Sequence, residues 1–279
     1  MAPLLASGST GVFKPPELTP FSSLRMAQIW ESIEGVVPGV INMVPGIGAE
    51  AGEALVDHPN VTSIHFTGSC EIGQRIQSRA ANTMKRCFLE LGGKNPFIVF
   101  DDANIDKAAM VGCMASTATT GQFCGSPTRM LIHQKVHDQF VEKLSKHYES
   151  QKYGRWDEEG VYGGPLISQK QLDRNLMYIQ SGKDQGATVV TGGNRIDREG
   201  YFLRPTLMIN CRDDMKMVQE EIFGPVVAVQ KFSDIDEVIQ RANGVKYGLV
   251  GAVFSEDQRK CHKVSRGLQA GLITVNSYF

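Results

Sequence analysis

Two short stretches hold the residue types from which carbonyl chemistry is built. Phe88-Leu89-Glu90-Leu91-Gly92-Gly93-Lys94-Asn95-Pro96 places one carboxylate, Glu90, in an apolar run that breaks at two glycines. Gly121-Gln122-Phe123-Cys124-Gly125 places one thiol among small residues after a helix-like segment. A thiolate can attack a carbonyl while a nearby carboxylate manages protons. Burial in its apolar run would raise the pKa of Glu90 and suit it to general-base work near neutral pH. Strand alternation equally allows Glu90 to face outward. A lone cysteine is more often a small buried hydrophobe than a nucleophile. Cys124 differs from the other five in its bracketing glycines, which would let its backbone N–H face a substrate oxygen. Cys113 lies among apolar helix residues and reads as core. Cys70, Cys87, Cys211 and Cys261 adjoin polar or charged residues and lack a loop of small residues.

Four further segments could bind an anion or a sugar. In Phe66-Thr67-Gly68-Ser69 a strand ends, and a hydroxyl residue opens a helix. Free N–H groups and the helix dipole there favour phosphate, although a plain N-cap accounts for the same residues. Lys14 and Glu17 flank two prolines and could hold a ribose diol, or form a solvated turn. Glu220-Glu221-Ile222-Phe223-Gly224-Pro225-Val226 pairs two acids with an aromatic and a Gly-Pro step, which an ordinary turn also explains. Gly46-Ile47-Gly48-Ala49-Glu50-Ala51-Gly52 misses the dinucleotide spacing by one position and reads better as a turn into a helix.

The elements around these segments alternate. Strands are expected at residues 11–13, 40–44, 63–67, 86–91, 95–100, 129–133, 188–191, 206–209, 226–232, 250–254 and 272–276. Helices are expected at 20–34, 48–56, 68–82, 105–119, 137–149, 169–186, 235–243 and 257–268. This pattern predicts an α/β fold with a largely parallel sheet. The 279 residues carry 29 basic and 30 acidic side chains, a balance that gives no reason to expect nucleic acid as a partner. No apolar run reaches the ~18 to 20 residues that span a bilayer. Residues 1–10 lack a basic n-region, so no signal peptide is expected. Six dispersed cysteines without a CxxC pair point to reduced thiols in a cytoplasmic compartment, not to a disulfide framework or zinc site. Neither end of the chain reads as a domain boundary.

Taken together, five motifs in matching order and spacing resemble the aldehyde dehydrogenase superfamily over essentially the whole chain. They are the Lys14–Glu17 stretch, residues 66–69, residues 89–94, residues 121–124 with Arg129 after them, and residues 220–225. The late strand ending at Asn276 also resembles the family's. The resemblance implies a partial Rossmann-like cofactor domain over residues 1–92 and an α/β catalytic domain over residues 93–279. It implies Cys124 as nucleophile and Glu90 as general base. Lys14 and Glu17 would bind the adenosine ribose, Gly68 and Ser69 the pyrophosphate, and Glu221 the nicotinamide ribose. Phe223 would pack near the nicotinamide, and Leu91 would be a further cofactor-binding residue. An acid at Glu17 favours NAD over NADP, because it would repel a 2′-phosphate. The substrate would be an aldehyde, and the full-length protein a homodimer or homotetramer.

Within the family, residues 178–183 and 211–221 look most like the betaine-aldehyde and aminoaldehyde branch, with Tyr278 as a cation–π partner for a quaternary ammonium. The 279 residues depart from the family pattern in lacking the N-terminal section with its oxyanion asparagine, and the C-terminal arm. Pro127 and Thr274 also replace family-typical residues. Two readings follow: an NAD-dependent aldehyde dehydrogenase, or a catalytically impaired relative that binds nucleotide or partners.

Overall fold

Short apolar stretches alternating with helix signals build the first part of the chain as two β–α–β repeats. The computed structural model describes residues 2–278. The described chain falls into two units, one ending at Glu90 and the other beginning at Leu91. The first unit contains α1 (Ala2–Ala6), β1 (Gly11–Phe13), α2 (Phe21–Glu31) and β2 (Ile41–Met43). A π-helical turn, Gly48–Gly52, then leads into α3 (Glu53–Asp57), followed by β3 (Ser63–Thr67), α4 (Cys70–Ala81) and β4 (Arg86–Glu90). β1 pairs with β2, and β3 with β4, both in parallel. Its apolar core is thin: Val56, Ile76 and Ala80 are buried. Arg79 ties α4 to α3 through Glu53 and Asp57, and Arg75 reaches Glu53 as well.

The second unit contains β5 (Pro96–Val99), α5 (Ile105–Thr117), a 3₁₀ turn (Ala118–Gly121), β6 (Arg129–His133), α6 (His137–Ser150) and α7 (Gln169–Asp184). It continues with β7 (Thr188–Thr191), β8 (Thr206–Ile209), α8 (Lys216–Gln219), β9 (Val226–Phe232), α9 (Ile235–Asn243), β10 (Val250–Phe254), α10 (Gln258–Gly267) and β11 (Leu272–Val275). One seven-stranded sheet runs in the order β11-β10-β5-β6-β9-β8-β7. All of its pairs are parallel except β7 with β8. The central strands are apolar without alternation because both of their faces are covered. Phe97 and Val99 pack with α5 and α6, whereas Ile98 and Phe100 pack with α9 and α10. A third cluster joins Leu172, Tyr178 and Ile179 of α7 to Met208, Val226 and Ala228.

The expected strands and longer helices form, with ends shifted by a few residues. Two short helices, α1 and α8, were not expected. Five and four residues are too few for an apolar period to register. Among the described residues no helix is long and apolar enough to cross a membrane.

Candidate functional site

Parallel pairing decides where the candidate residues of the second unit meet. β5, β6, β9 and β10 run in one direction, so the segments leading into them converge on one edge of the sheet. Those segments are residues 91–95, 118–128, 220–225 and 244–249. Cys124 lies on the second and Glu221 on the third.

Asn95 locks the thiol loop to this edge. Its side-chain amide donates to the Cys124 carbonyl at 2.8 Å and to the Ser126 carbonyl at 2.9 Å. Its Oδ1 accepts from the Val250 N–H at 3.0 Å. The residue is 1% exposed, so these bonds replace water that cannot reach it. Gly93 packs directly under the loop, where an added Cβ would collide with the Cys124 carbonyl. Upstream, Thr119 and Thr120 hold left-handed backbone angles, φ 48° and 59°. Such angles are costly for β-branched residues and persist only where the surroundings enforce them. Gly121 follows, so close to the Gly224 backbone that no side chain would fit. Tyr278 donates to the Gly125 carbonyl at 2.6 Å and sets its ring 6.0 Å from that of Phe97. Burial pushes its phenol pKa far up, and a thiolate at Cys124 would push it further.

Cys124 is half-buried. Cys113, Cys211 and Cys261 are buried. Burial pushes the Cys113 thiol up to about 11 and Cys211 up to about 12. Cys211 and Cys261 therefore belong to the core despite their polar neighbours in sequence, because their side chains turn inward from a loop and a helix.

One face of α7 holds the segment that carries Glu221. Gln171 donates to the Ile222 carbonyl at 3.0 Å and to the Phe223 carbonyl at 2.7 Å. Arg174 donates to the Glu221 carbonyl at 2.7 Å, and Tyr178 to the Glu220 carboxylate at 2.6 Å. These residues sit at i, i+3 and i+7, the spacing of one helix face. Glu221 accepts from the Gly93 N–H at 3.2 Å, and burial raises its pKa. Phe223 adopts φ 65° beside it, and Leu91 is half-buried at the start of this unit.

The remaining candidates lie in the first unit. Gly68 donates its N–H to the Glu90 carbonyl at 3.1 Å, so Gly68, Ser69 and Glu90 cluster where β3 and β4 end. Ser69 is the N-cap of α4 and accepts from the Ile72 N–H at 3.3 Å. Glu90 is exposed, so of the two orientations its run allowed the outward one holds. β4 alternates: Cys87 and Leu89 turn inward while Arg86, Phe88 and Glu90 face out. Phe88, the bulky residue that made the run look buried, stacks instead on exposed His65. The Lys14 ammonium lies 3.5 Å from Glu17 and also donates to the carbonyls of Pro15 and Gly46. Its own backbone N–H, and then Lys14, hold the Glu17 carboxyl below its ordinary range.

Asn95 and the α7 face were missed as positioning residues. Asn95 was visible only as part of the motif around Glu90; of the α7 residues, Tyr178 was visible only within the branch-like stretch 178–183, and Gln171 and Arg174 only as helix positions. Their carbonyl partners are up to 52 positions away, which no local pattern reports. Among the described residues no group of three or more His, Cys, Asp or Glu side chains converges on a metal position.

A thiol loop and a segment carrying a half-buried carboxylate, both leading into one end of a mostly parallel sheet covered on both faces, define an α/β scaffold with a candidate site at that end. The aldehyde dehydrogenase family model matches residues 1–279, and the chain belongs to that family. It is 44% identical over 279 residues to the mitochondrial aldehyde dehydrogenase family 2 member B4 of Arabidopsis thaliana, covering 100% of this chain and 52% of that protein. To aldehyde dehydrogenase 1 of Tanacetum cinerariifolium it is 42% identical over 279 residues, covering 100% and 56%. A Staphylococcus aureus betaine aldehyde dehydrogenase solved in complex with NAD+ superposes with a TM-score of 0.96 at 38% identity, covering 100% of this chain and 56% of that one. The Bacillus cereus aldehyde dehydrogenase solved with NAD+ gives 0.96 at 41% identity, covering 99% and 56%. The chain thus spans about half the length of the curated relatives it matches.

Proposed function

We propose that this chain carries the thiol and much of the cofactor-binding apparatus of an NAD-dependent aldehyde dehydrogenase. The observation that carries this reading is the thiol loop: left-handed threonines, close-packed glycines and the buried Asn95 together hold Cys124 half-exposed. Strain of this kind gathers where a side chain must be aimed.

Each donor set, taken by itself, suits one part of a dinucleotide. Lys14 and Glu17 offer an ammonium and an ionised carboxylate to the adenosine ribose. Gly68 and Ser69 lead into the N-terminus of the 12-residue α4, where oriented N–H groups suit a pyrophosphate. Glu221 offers a carboxylate to the nicotinamide ribose, with Phe223 and Leu91 nearby in sequence or space. The ionised Glu17 favours NAD over NADP, since it would repel a 2′-phosphate.

In the reaction, the Cys124 thiolate adds to the aldehyde carbon to form a thiohemiacetal. Its oxyanion is stabilised by the Cys124 N–H. NAD supplies the hydride acceptor, and loss of hydride leaves a thioester on Cys124. Glu90 takes a proton from water, which attacks the thioester, releases the acid and restores the thiol. Replacing Cys124 with Ala abolishes aldehyde-dependent NADH formation; activity surviving in C124A would defeat the mechanism. Replacing Glu90 with Gln leaves the first burst of NADH and slows the following turnovers.

The substrate class is finer. The likeness to a betaine aldehyde dehydrogenase, and Tyr278 beside the Cys124 loop, support an aldehyde bearing a quaternary ammonium. Equal kcat/KM for a trimethylammonium aldehyde and an uncharged one of the same length would exclude it. The whole protein is expected to act in the cytoplasm as a homodimer or homotetramer, which light scattering would check.

A further inference from the structure

The thiol loop has a second anchor besides Asn95. The first is closed in: the adjoining Lys94 is buried, and its carbonyl accepts from buried Arg129 at 3.3 Å. The second runs from the side chains just before Cys124 to residues 164–167. Gln122 Oε1 accepts from the Ile167 N–H at 2.8 Å. The donor is a backbone N–H, so only the amide oxygen can face it. The amide nitrogen then lies 3.5 Å from the Pro165 carbonyl and 3.4 Å from the Thr119 carbonyl, long and weak contacts beside the first. Buried Thr120 donates from Oγ1 to the Gly164 carbonyl at 3.1 Å. That bond gives a reason for a β-branched residue with left-handed angles here. Glycine would adopt the angles freely but would lose the hydroxyl.

Residues 164–167 are the fixed partner. Leu166 is buried in the apolar cluster of α7, and its N–H donates to the Tyr201 carbonyl at 2.9 Å. Ser168 caps α7 by accepting from the Gln171 N–H at 3.3 Å, a bond that does not involve Gln122. Within the thiol loop, backbone bonds close short turns. The Gln122 N–H donates to the Thr119 carbonyl at 3.1 Å, and the Ser126 N–H to the Phe123 carbonyl at 3.0 Å. Those bonds do not tie the loop to the rest of the unit; side chains must do so.

We propose that Gln122 is a positioning residue whose bond to the Ile167 N–H ties the thiol loop to the residue before the α7 cap and keeps Cys124 turned outward. This rests on the nucleophile role given to Cys124 above. Without the bond, the left-handed angles at Thr119 and Thr120 relax, and the cysteine, a small hydrophobe, turns inward.

Alkylation of Cys124 by iodoacetamide, followed by mass spectrometry of the peptide that carries it, reads this aim without requiring turnover. Rates taken across pH to their plateau compare thiolate with thiolate. In Q122M, which keeps the bulk and loses the acceptor, the plateau rate falls about three- to tenfold, the shift produced by losing one such hydrogen bond. NAD+ affinity by calorimetry stays at the parent value, because α7 keeps its own cap and core. The melting temperature moves by no more than about 4 °C. Q122E keeps an acceptor for Ile167 but turns an anionic oxygen toward two carbonyls, so its plateau rate lies between those of Q122M and the parent. Iodoacetamide is uncharged, so the added carboxylate does not steer it. The first burst of NADH with an aldehyde slows in Q122M in proportion to alkylation.

If Q122M is alkylated at the parent rate or faster, the proposal fails and the nucleophile reading stands. If Q122E is as slow as Q122M, the acceptor bond is not what holds the loop, and the proposal fails. A Q122M protein that loses NAD+ affinity and melts far lower would make Gln122 structural and overturn the proposal. If alkylation slows while NADH forms at the parent rate, the thiol does not carry the reaction; the nucleophile reading fails and takes this proposal with it. Q122N, too short to reach the Ile167 N–H, repeats the test if Q122M does not fold, and must slow alkylation in the same way.

Discussion

Asn95 shows how one side chain can couple a nucleophile to a sheet. Its three hydrogen bonds satisfy two carbonyls of the thiol loop and one N–H of β10. Asn95→Ala takes the acceptor from the Val250 N–H and one donor from each of the Cys124 and Ser126 carbonyls. It should cost about 3 kcal/mol of stability, measurable by urea unfolding. It should also slow alkylation of Cys124 by iodoacetamide under native conditions, because the loop loses its anchor. Asn95→Ser should recover part of both. Lys94 makes a separate prediction about stability. Its pKa is about 7 when folded against 10.5 for the free side chain, so the unfolded chain binds the extra proton between these values. A lowered folded pKa means stability rises with pH across that window and is lost as pH falls through 7. The slope contributed is at most ~1.4 kcal/mol per pH unit. Urea unfolding at pH 7 and 9 should show this gain in the parent and not in K94M.

At the level of elements, α7 is a clamp. Gln171, Arg174 and Tyr178 present one polar face to residues 220–223, while Leu172 and Ile179 face the core. The loop can carry a left-handed Phe223 because these bonds hold both of its flanks. Gly224 packs against fully buried Asn175, and a methyl group there would collide with the amide. Gly224→Ala should destabilise by about 2 to 3 kcal/mol, and calorimetric melting should show it. Gln171→Ala should change global stability less, since it removes atoms and forces no overlap. It should raise the dissociation constant for NAD+ through the displaced Glu221, and the contrast between the two variants separates packing from positioning.

Across the molecule, the two units differ in how much core they have. The second has apolar clusters on both faces of a seven-stranded sheet; among the described residues of the first, only Val56, Ile76, Ala80 and Pro15 bury apolar side chains. Amide exchange tracks local opening, which is cheapest where few apolar contacts must break. Amides of β5, β6 and β9 should exchange more slowly than those of β1 and β2 by at least about a hundredfold, ~2.7 kcal/mol of opening free energy. Equal protection would mean that the first unit draws stability from something other than its own core.

The sequence by itself determined the alternation of elements and the strand-forming runs, because propensity and apolar period are local. It also determined the family, because five motifs must keep their order along one chain. It left Glu90 undecided between inside and outside, since Phe88 made an alternating strand look continuously apolar. Only the tertiary structure decided that Asn95 holds the Cys124 loop, that α7 clamps Glu221, and that Lys94 lies sealed against Arg129. Each depends on parallel strands bringing segments tens to more than a hundred residues apart to one edge. Carbonyl partners and desolvation come from that convergence and have no local spacing to read.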